Sequence, residues 1–300
     1  MSRWEVKTIR AVFWIAGAVL LAAAFMLVMH LSTNTMEFSR YNTGWNGSSS
    51  FFSDLDRHRS REISDPEKLA GYVHNTTLLI IAPQRPPTAQ EIAAYRAFLR
   101  EGNTIFLADD FGTGNEILAG TGSRISILPG NLSSLDRRYM DPYSVIAYRT
   151  TEESPVALPA DIALNRPAPL DGGSPLMLTS VMSWTDANGD RRLNVGEDMG
   201  TMPVMATDST GPGQLIVLSD PSIFINSMYS REENGNNRYL IQTIVTRDGP
   251  VLIDQMNSRT ADASGLGEIL HVIRTTITIK IFIICLLMLG MAGAWKKKTI

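Results

Sequence analysis

Two hydropathy rhythms alternate through the middle of this chain. Thr77 to Ala82 (TLLIIA) is a short, almost wholly apolar run closed by Pro83, the pattern of a strand buried on both faces of a parallel sheet. After Pro86 and Pro87 the period lengthens. Thr88 stands as an N-cap with Glu91 three residues later, and Ile92, Tyr95, Phe98 and Leu99 share one face before Gly102 ends the run. That is a capping box on an amphipathic helix. Thr104 to Ala108 (TIFLA) returns to the strand pattern, so the spacing predicts strand, helix, strand with a right-handed parallel crossover. Gln214 to Ser219 and Pro250 to Ile253 predict further strands, and Asn237 to Val245 a helix. An α/β sandwich follows. Ser123 to Ser180 is less regular and offers room for edge strands. Phe38 to Ser50 is turn chemistry that leads into a helix near Ser50, with the ring of Trp45 expected to be packed.

The ends follow a different rule. Ala11 to Leu31 and Thr276 to Trp295 are apolar, and a run of about 20 such residues suffices to cross a hydrocarbon core as a helix. Arg3, Lys7 and Arg10 precede the first segment, and Lys296 to Lys298 follow the second. The positive-inside rule then predicts a two-pass cell-membrane protein with both termini cytoplasmic and the main domain outside. The first segment has a second reading as a signal peptide, against which stand its length and the missing small-x-small cleavage pattern. Lys280 interrupts the second; it is read as snorkelling to the interface, or else as a partner contact. These features divide the chain into 1–35, a domain over 36–272, and 273–300.

Composition sharpens this picture. The chain of 300 residues carries a net charge of −3, but between Met36 and Val272 there are 19 basic against 29 acidic residues, a balance near minus ten. Such a surface repels nucleic acid and anionic lipid. The single cysteine, Cys285, lies in the second apolar segment, which excludes disulfides within the chain and a cysteine nucleophile in the main domain. Three Asn-x-Ser/Thr triplets, at Asn46, Asn75 and Asn131, are compatible with a surface position.

A resemblance is carried by the order YNTGWNGSS, IIAPQRPPTAQEIAAYRAFLREGNTIFLADDFGTGNEIL, VLSDPSIFIN, NNRYLIQTIV and VLIDQ. It resembles the archaeal and bacterial family labelled domain of unknown function 4350, most specifically at Asp109 to Asn115 and Asp220 to Asn226. The resemblance implies a flavodoxin-like, class I glutamine-amidotransferase-like α/β fold: a parallel sheet with helices on both faces, here flanked by two transmembrane helices. It implies no activity. Enzymes of that fold use a cysteine on a strand-to-helix elbow with a histidine partner. This domain has no cysteine, and His58, His74 and His271 flank its core.

Ligands of open parallel sheets bind beyond the carboxyl ends of the strands. Asp109, Asp110, Asp220 and Asp254 fall at or just past predicted strand ends, and the loop through Gly112 and Gly114 to Asn115 leads into a helix at Glu116, offering backbone N–H groups. With Asn226 these residues form the candidate pocket for a small molecule of unknown identity. Read structurally, the same Asp and Asn residues cap helices and brace turns. Asp186 to Glu197 (DANGDRRLNVGE) has the spacing of an EF-hand loop, with Asp186, Asn188, Asp190, the Arg192 carbonyl and Glu197 as oxygen ligands for calcium. Arg191 replaces the usual glycine at position six, no helices flank the loop, and a polar Asx turn is the alternative. The sequence thus predicts a non-catalytic binding or scaffolding domain working with other membrane proteins. The competing readings are a metal-dependent hydrolase using strand-end carboxylates, and a sugar or cell-wall receptor with Trp45 or Trp184 exposed at the cleft.

Overall fold

The computed structural model describes residues 14–20, 22–27, 35–56, 60–136, 140–151, 153–230, 235–247, 249–258, 260, 276 and 281. The chain divides into two units, residues 35–262 and the two ends, 1–34 with 263–300. In the latter, residues 14–20 and 22–27 are helical.

The larger unit opens with α1 (Ser49–Leu55) and β1 (Ser60–Ile63), followed by β2 (Thr77–Ile81), α2 (Ala89–Arg100), β3 (Thr104–Ala108) and α3 (Gly114–Thr121). Seven strands come next: β4 (Ser126–Ile127), β5 (Asn131–Ser134), β6 (Ser144–Arg149), β7 (Asp161–Asn165), β8 (Leu170–Asp171), β9 (Ser174–Thr179) and β10 (Ser183–Asp186). The chain closes through β11 (Pro203–Thr210), β12 (Gly213–Leu218), α4 (Asn226–Tyr229), α5 (Gly235–Val245) and β13 (Val251–Asp254). Nine strands form one sheet in the order β1-β13-β2-β3-β12-β11-β9-β6-β7, and β10 with β5 and β4 with β8 make two small ribbons.

The half from β1 to β12 is parallel throughout; its inner strands β13, β2, β3 and β12 are buried on both faces as their apolar runs require, while β1 at the edge is partly exposed. Period two sorts their side chains into two cores. Leu79, Ile81, Phe106, Ile216 and Ile253 pack toward α1, α4 and α5, while Leu78, Ile80, Ile105, Leu107 and Val217 pack toward α2 and α3. Thr88 and Glu91 form the expected capping box on α2, reinforced by the Arg85 to Glu91 ion pair. On the other face Phe51 meets Phe224 and Tyr229 edge-on at 4.9 and 5.8 Å, which fixes α1 and the turn before it against the ends of the strands.

Two expectations are corrected here. The sheet is not the flavodoxin-like parallel sheet of the amidotransferase pattern, because β11, β9, β6 and β7 continue it with four antiparallel pairings. The cause is local. Only Gly211 and Pro212, with Gly211 at φ +64°, separate β11 from β12, a connection short enough for a hairpin and too short for a parallel crossover. The second correction concerns the two-pass membrane topology and the extracytoplasmic placement drawn from it. Among the described residues no helix is long and apolar enough to cross a membrane. The second apolar segment, apart from Thr276 and Ile281, lies outside the described residues.

Candidate functional site

The carboxyl ends of β2, β3 and β12 open onto a cleft of about 510 Å³, within the size range of small-molecule pockets. Its floor is made by Ala82 and Pro83 after β2, Asp109 to Gly112 after β3, and Ser222 after β12. Phe38, Trp45 and Ile225 supply one wall, and Asp141, Asn165 and Arg166 another, with Glu37 at the side.

Asp109 is buried, and its two carboxylate oxygens accept the N–H groups of Gly112 at 3.1 Å and Gly114 at 2.9 Å. The loop is therefore wrapped around its own carboxylate, which takes up the N–H groups that the sequence offered to an external anion. This also explains the glycines. A Cβ on Gly112 would stand 2.5 Å from Asp109 Oδ1 and 2.6 Å from the Pro83 carbonyl, and one on Gly114 would stand 2.6 Å from Asp109 Oδ2. Asp110 differs. It is half-buried in the cleft, and its Oδ1 accepts the Phe111 N–H at 2.8 Å. Burial, joined by the negative charges of Asp220 and Asp109, pushes its pKa up to about 7.

The remaining predicted residues brace the frame. Asn115 exchanges two hydrogen bonds of 2.8 Å with the Ile127 backbone and so ties α3 to β4. Asp220 lies beneath the cleft, accepting the N–H groups of Asn165 at 2.6 Å and Ser222 at 2.7 Å, and burial raises its pKa to about 6. Asp254 accepts from Met256, Asn257 and the Tyr95 hydroxyl away from the cleft lining, with a pKa raised by burial to about 7. Asn226 donates to the carbonyls of Asn42 and Gly44 and accepts from the Ser50 N–H. Through it, and through the Ser227 N–H donated to the Trp45 carbonyl at 3.0 Å, the 42–50 turn is held at the cleft mouth. Sequence reasoning expected the Trp45 ring to be packed; it is 70 % exposed, and Phe111 across the cleft lining is 57 % exposed. Trp184 is buried instead.

Asp141, Asn165 and Arg166 were not singled out in the sequence. Arg166 takes a left-handed backbone, with φ +59° immediately before Pro167, as Phe38 and Ala82 of the same lining do at +58° and +45°, and its guanidinium lies 5.0 Å from the Tyr143 ring. A left-handed non-glycine residue in a cleft wall is the kind of strain that concentrates at functional sites. No sequence signal marks it.

The 186–197 loop lies outside this cleft lining. Asp186 is buried and accepts the Tyr143 hydroxyl at 2.7 Å and the N–H groups of Gly189 and Arg191 at 2.7 and 2.8 Å. Asn188 accepts from Asp190 N–H, and Asp190 from the N–H of Arg192 and the Asn194 amide. Glu197 accepts the N–H groups of Ala187 and Asn194. The Asx-turn alternative thus describes the loop's own hydrogen bonding. Among the described residues no three His, Cys, Asp or Glu side chains converge as a metal site would need.

A family model described as a domain of unknown function (DUF4350) matches residues 40–244. No curated protein sequence matches the chain. Among solved structures, the mmIFT52 N-terminal domain is similar at 18 % identity and TM-score 0.49, over 67 % of this chain and 92 % of that one. A cytoplasmic protein from Salmonella typhimurium LT2 aligns at 15 % identity and TM-score 0.34, over 66 % and 87 %. A β-galactosidase from the Antarctic haloarchaeon Halorubrum lacusprofundi aligns at 15 % and TM-score 0.28, over 57 % of this chain, which spans 22 % of that enzyme. Likenesses this remote carry neither ligand nor activity to this chain.

Proposed function

We propose that this chain, which belongs to the DUF4350 family, is a non-catalytic binding module whose ligand sits in the strand-end cleft. The observation that carries the reading is the pair of exposed rings, Trp45 and Phe111, lining a 510 Å³ cleft with a half-buried carboxylate, Asp110, on its floor. Large aromatic rings left in water cost free energy, and their presence at a concave site supports a ligand that covers them. The other three strand-end carboxylates are engaged elsewhere, Asp109 by the N–H groups of Gly112 and Gly114. Asp220 serves as the cap of the Pro221–Phe224 turn, and Asp254 is tied to Tyr95 and Asn257. The metal-dependent hydrolase reading asked at least two of Asp110, Asp220 and Asp254 to meet across an open polar cleft; of these three only Asp110 lines it. A second reading, a sugar receptor, draws support from the exposure of Trp45, although Trp184 is withdrawn into the core.

Screening small-molecule mixtures against the full chain by ligand-observed NMR tests the proposal, with Trp45→Ala as the comparator. Ligands that bind the parent and lose binding in the variant are the expected result. Ligands unaffected by the variant would move the site elsewhere. A ligand chemically converted by the parent but not by Asp110→Asn would make the cleft an active site.

Calcium is proposed for the 186–197 loop on narrower grounds. Gly189 and Arg191 at positions four and six both take the left-handed backbone, and the position-six N–H points to the position-one carboxylate. Asp190 and Glu197 would have to exchange their internal donors for the ion, which places the affinity in the weak range of about 10⁻⁴ to 10⁻³ M.

A further inference from the structure

We infer that the ligand of the strand-end cleft is an uncharged pyranose, one face of its ring laid on Trp45 and its neighbouring hydroxyls held by Asn165, Arg166 and Asp110. The inference rests on reading the cleft as a ligand seat and gives that seat a chemical class. Its first ground is the hydrogen-bonding capacity left over in the lining. Asp109 is occupied by the N–H groups of Gly112 and Gly114, and Asp141 by the Tyr143 N–H at 3.1 Å and by Arg191 at 3.4 Å. Asn165, half-buried in the cleft wall, is different. Its backbone N–H donates to Asp220, but its side-chain amide has no hydrogen-bond partner among the described residues. Arg166 forms neither an ion pair nor a side-chain hydrogen bond among them. The Asp110 carboxylate, which accepts the Phe111 N–H through Oδ1, keeps lone pairs to spare, since a carboxylate offers about four acceptor sites.

That remainder has a definite chemistry. An amide donates and accepts, a guanidinium only donates, and a carboxylate accepts. Each sugar hydroxyl does both, so adjacent hydroxyls satisfy planar amide, guanidinium and carboxylate groups together. A ligand with one kind of polar group would leave part of the set unpaired once water is excluded, at a cost in affinity. The apolar half of the match comes from Trp45 and Phe111, both exposed in the same lining. A pyranose has a flat face of C–H bonds and a polar rim, which suits an aromatic platform edged by planar polar side chains. An uncharged ligand asks nothing of the net charge around the cleft.

Backbone strain is a separate observation at the same place. Of the six non-glycine residues with positive φ among the described residues, three, Phe38, Ala82 and Arg166, line this cleft. Such conformations persist only where the surrounding structure holds them, and they cluster at ligand clamps. Two of the three adjoin the proposed contacts. The Phe38 N–H donates to the Asn46 carbonyl, next to Trp45, at 2.9 Å, and Arg166 follows Asn165 at the end of β7.

Saturation-transfer NMR of the full chain with D-glucose, D-galactose, D-mannose and D-xylose tests this. Sorbitol serves as a polyol without a ring, and cyclohexanol as a ring with a single hydroxyl. At least one pyranose is expected to bind, roughly tenfold more tightly than sorbitol because its ring is preorganised. Its affinity should stay within about twofold between about 0.05 and 0.5 M sodium chloride, as an uncharged ligand requires. Trp45→Ala should weaken it roughly tenfold or more, and Asn165→Ala about three- to tenfold. Both variants should keep the parent melting temperature, because the Trp45 ring is exposed and the Asn165 amide has no partner to lose. Cyclohexanol binding that depends on Trp45, with every pyranose silent, would overturn the sugar and leave the cleft as a ligand seat. Sorbitol binding as tight as the best pyranose would overturn the stacked ring. Pyranose binding indifferent to both substitutions would overturn the inference by placing the site elsewhere. Silence from every probe would also overturn the sugar, and the small-molecule screen against Trp45→Ala would then decide the cleft reading by itself.

Discussion

Gly112 and Gly114 owe their identity to one carboxylate. Asp109 is buried at the end of β3, a strand with no water to solvate an anion, so the chain after it must fold back and present N–H groups at hydrogen-bond distance. That approach leaves no room for a Cβ. Gly114→Ala would place its methyl 2.6 Å from Asp109 Oδ2 and 3.1 Å from Ile127 Cδ1, and overpacking of this kind costs about 1–3 kcal/mol. Denaturant unfolding should show a loss in that range; a variant as stable as the parent would mean that the loop does not wrap the carboxylate. At this scale the sequence was legible in residue type and opaque in role. Asp109 to Asn115 stood out, but the pattern could not say that the glycines serve Asp109, that Asn115 braces Ile127, or that Asp110 alone of the four strand-end carboxylates was left half-buried in the cleft. Arg166 was invisible because its importance lies in a backbone angle and in a neighbour, Tyr143, that only the fold supplies.

Elements with a strong local signature were read correctly, and those defined by their connections were not. The run TLLIIA, the Thr88–Glu91 box and the run TIFLA each carry a period and a cap, and β2, α2 and β3 appear where those signals lie. In the antiparallel half, β6, β7 and β9 fall within Ser123 to Ser180, where no sustained alternation survives and only room for edge strands was legible, and β11 escaped because it is joined to β12 through the Gly211-Pro212 turn, a hairpin the pattern did not announce. The 186–197 loop belongs to this scale as well, since its fate is decided by competition between internal N–H donors and an ion. If calcium wins, millimolar calcium should raise the melting temperature of the full chain, and Asp190→Ala should abolish the rise. An equal melting temperature with calcium and with a chelator would leave the loop as an Asx turn alone.

For the molecule as a whole, three buried or half-buried carboxylates set the pH dependence of stability. Burial raises Asp110 and Asp254 to about 7 and Asp220 to about 6 from an ordinary 3.8. A carboxyl whose folded pKa is raised stabilises the fold fully below its unfolded pKa and loses that contribution as pH climbs through the folded value. Glu91 and Asp208 act in the opposite sense. Burial opposes their ionisation, but Arg85 and Arg124 overcome it and hold both below the usual range, so their contributions disappear only as pH falls below about 4. Thermal unfolding should therefore show greater stability at pH 5 than at pH 8, and Asp110→Asn should narrow the difference. A chain more stable at pH 8 would mean that these groups are better solvated than their burial implies.

The same scale holds the lesson of the two ends. Apolar length and flanking charge predicted a membrane hairpin, yet hydropathy records only the composition of a segment, and no described helix has the length and apolarity of a span. The function proposed for residues 35–262 needs no bilayer, because it resides in a cleft built from strand ends and one turn. Amide NMR of the full chain, titrated in turn with a small-molecule mixture and with glucose, tests that claim most directly. Shifts concentrated on the Trp45 indole, on Asp110 to Gly112 and on Arg166 are predicted for whichever probe binds. Largest shifts outside the cleft, or none with either probe at tens of millimolar, would contradict it.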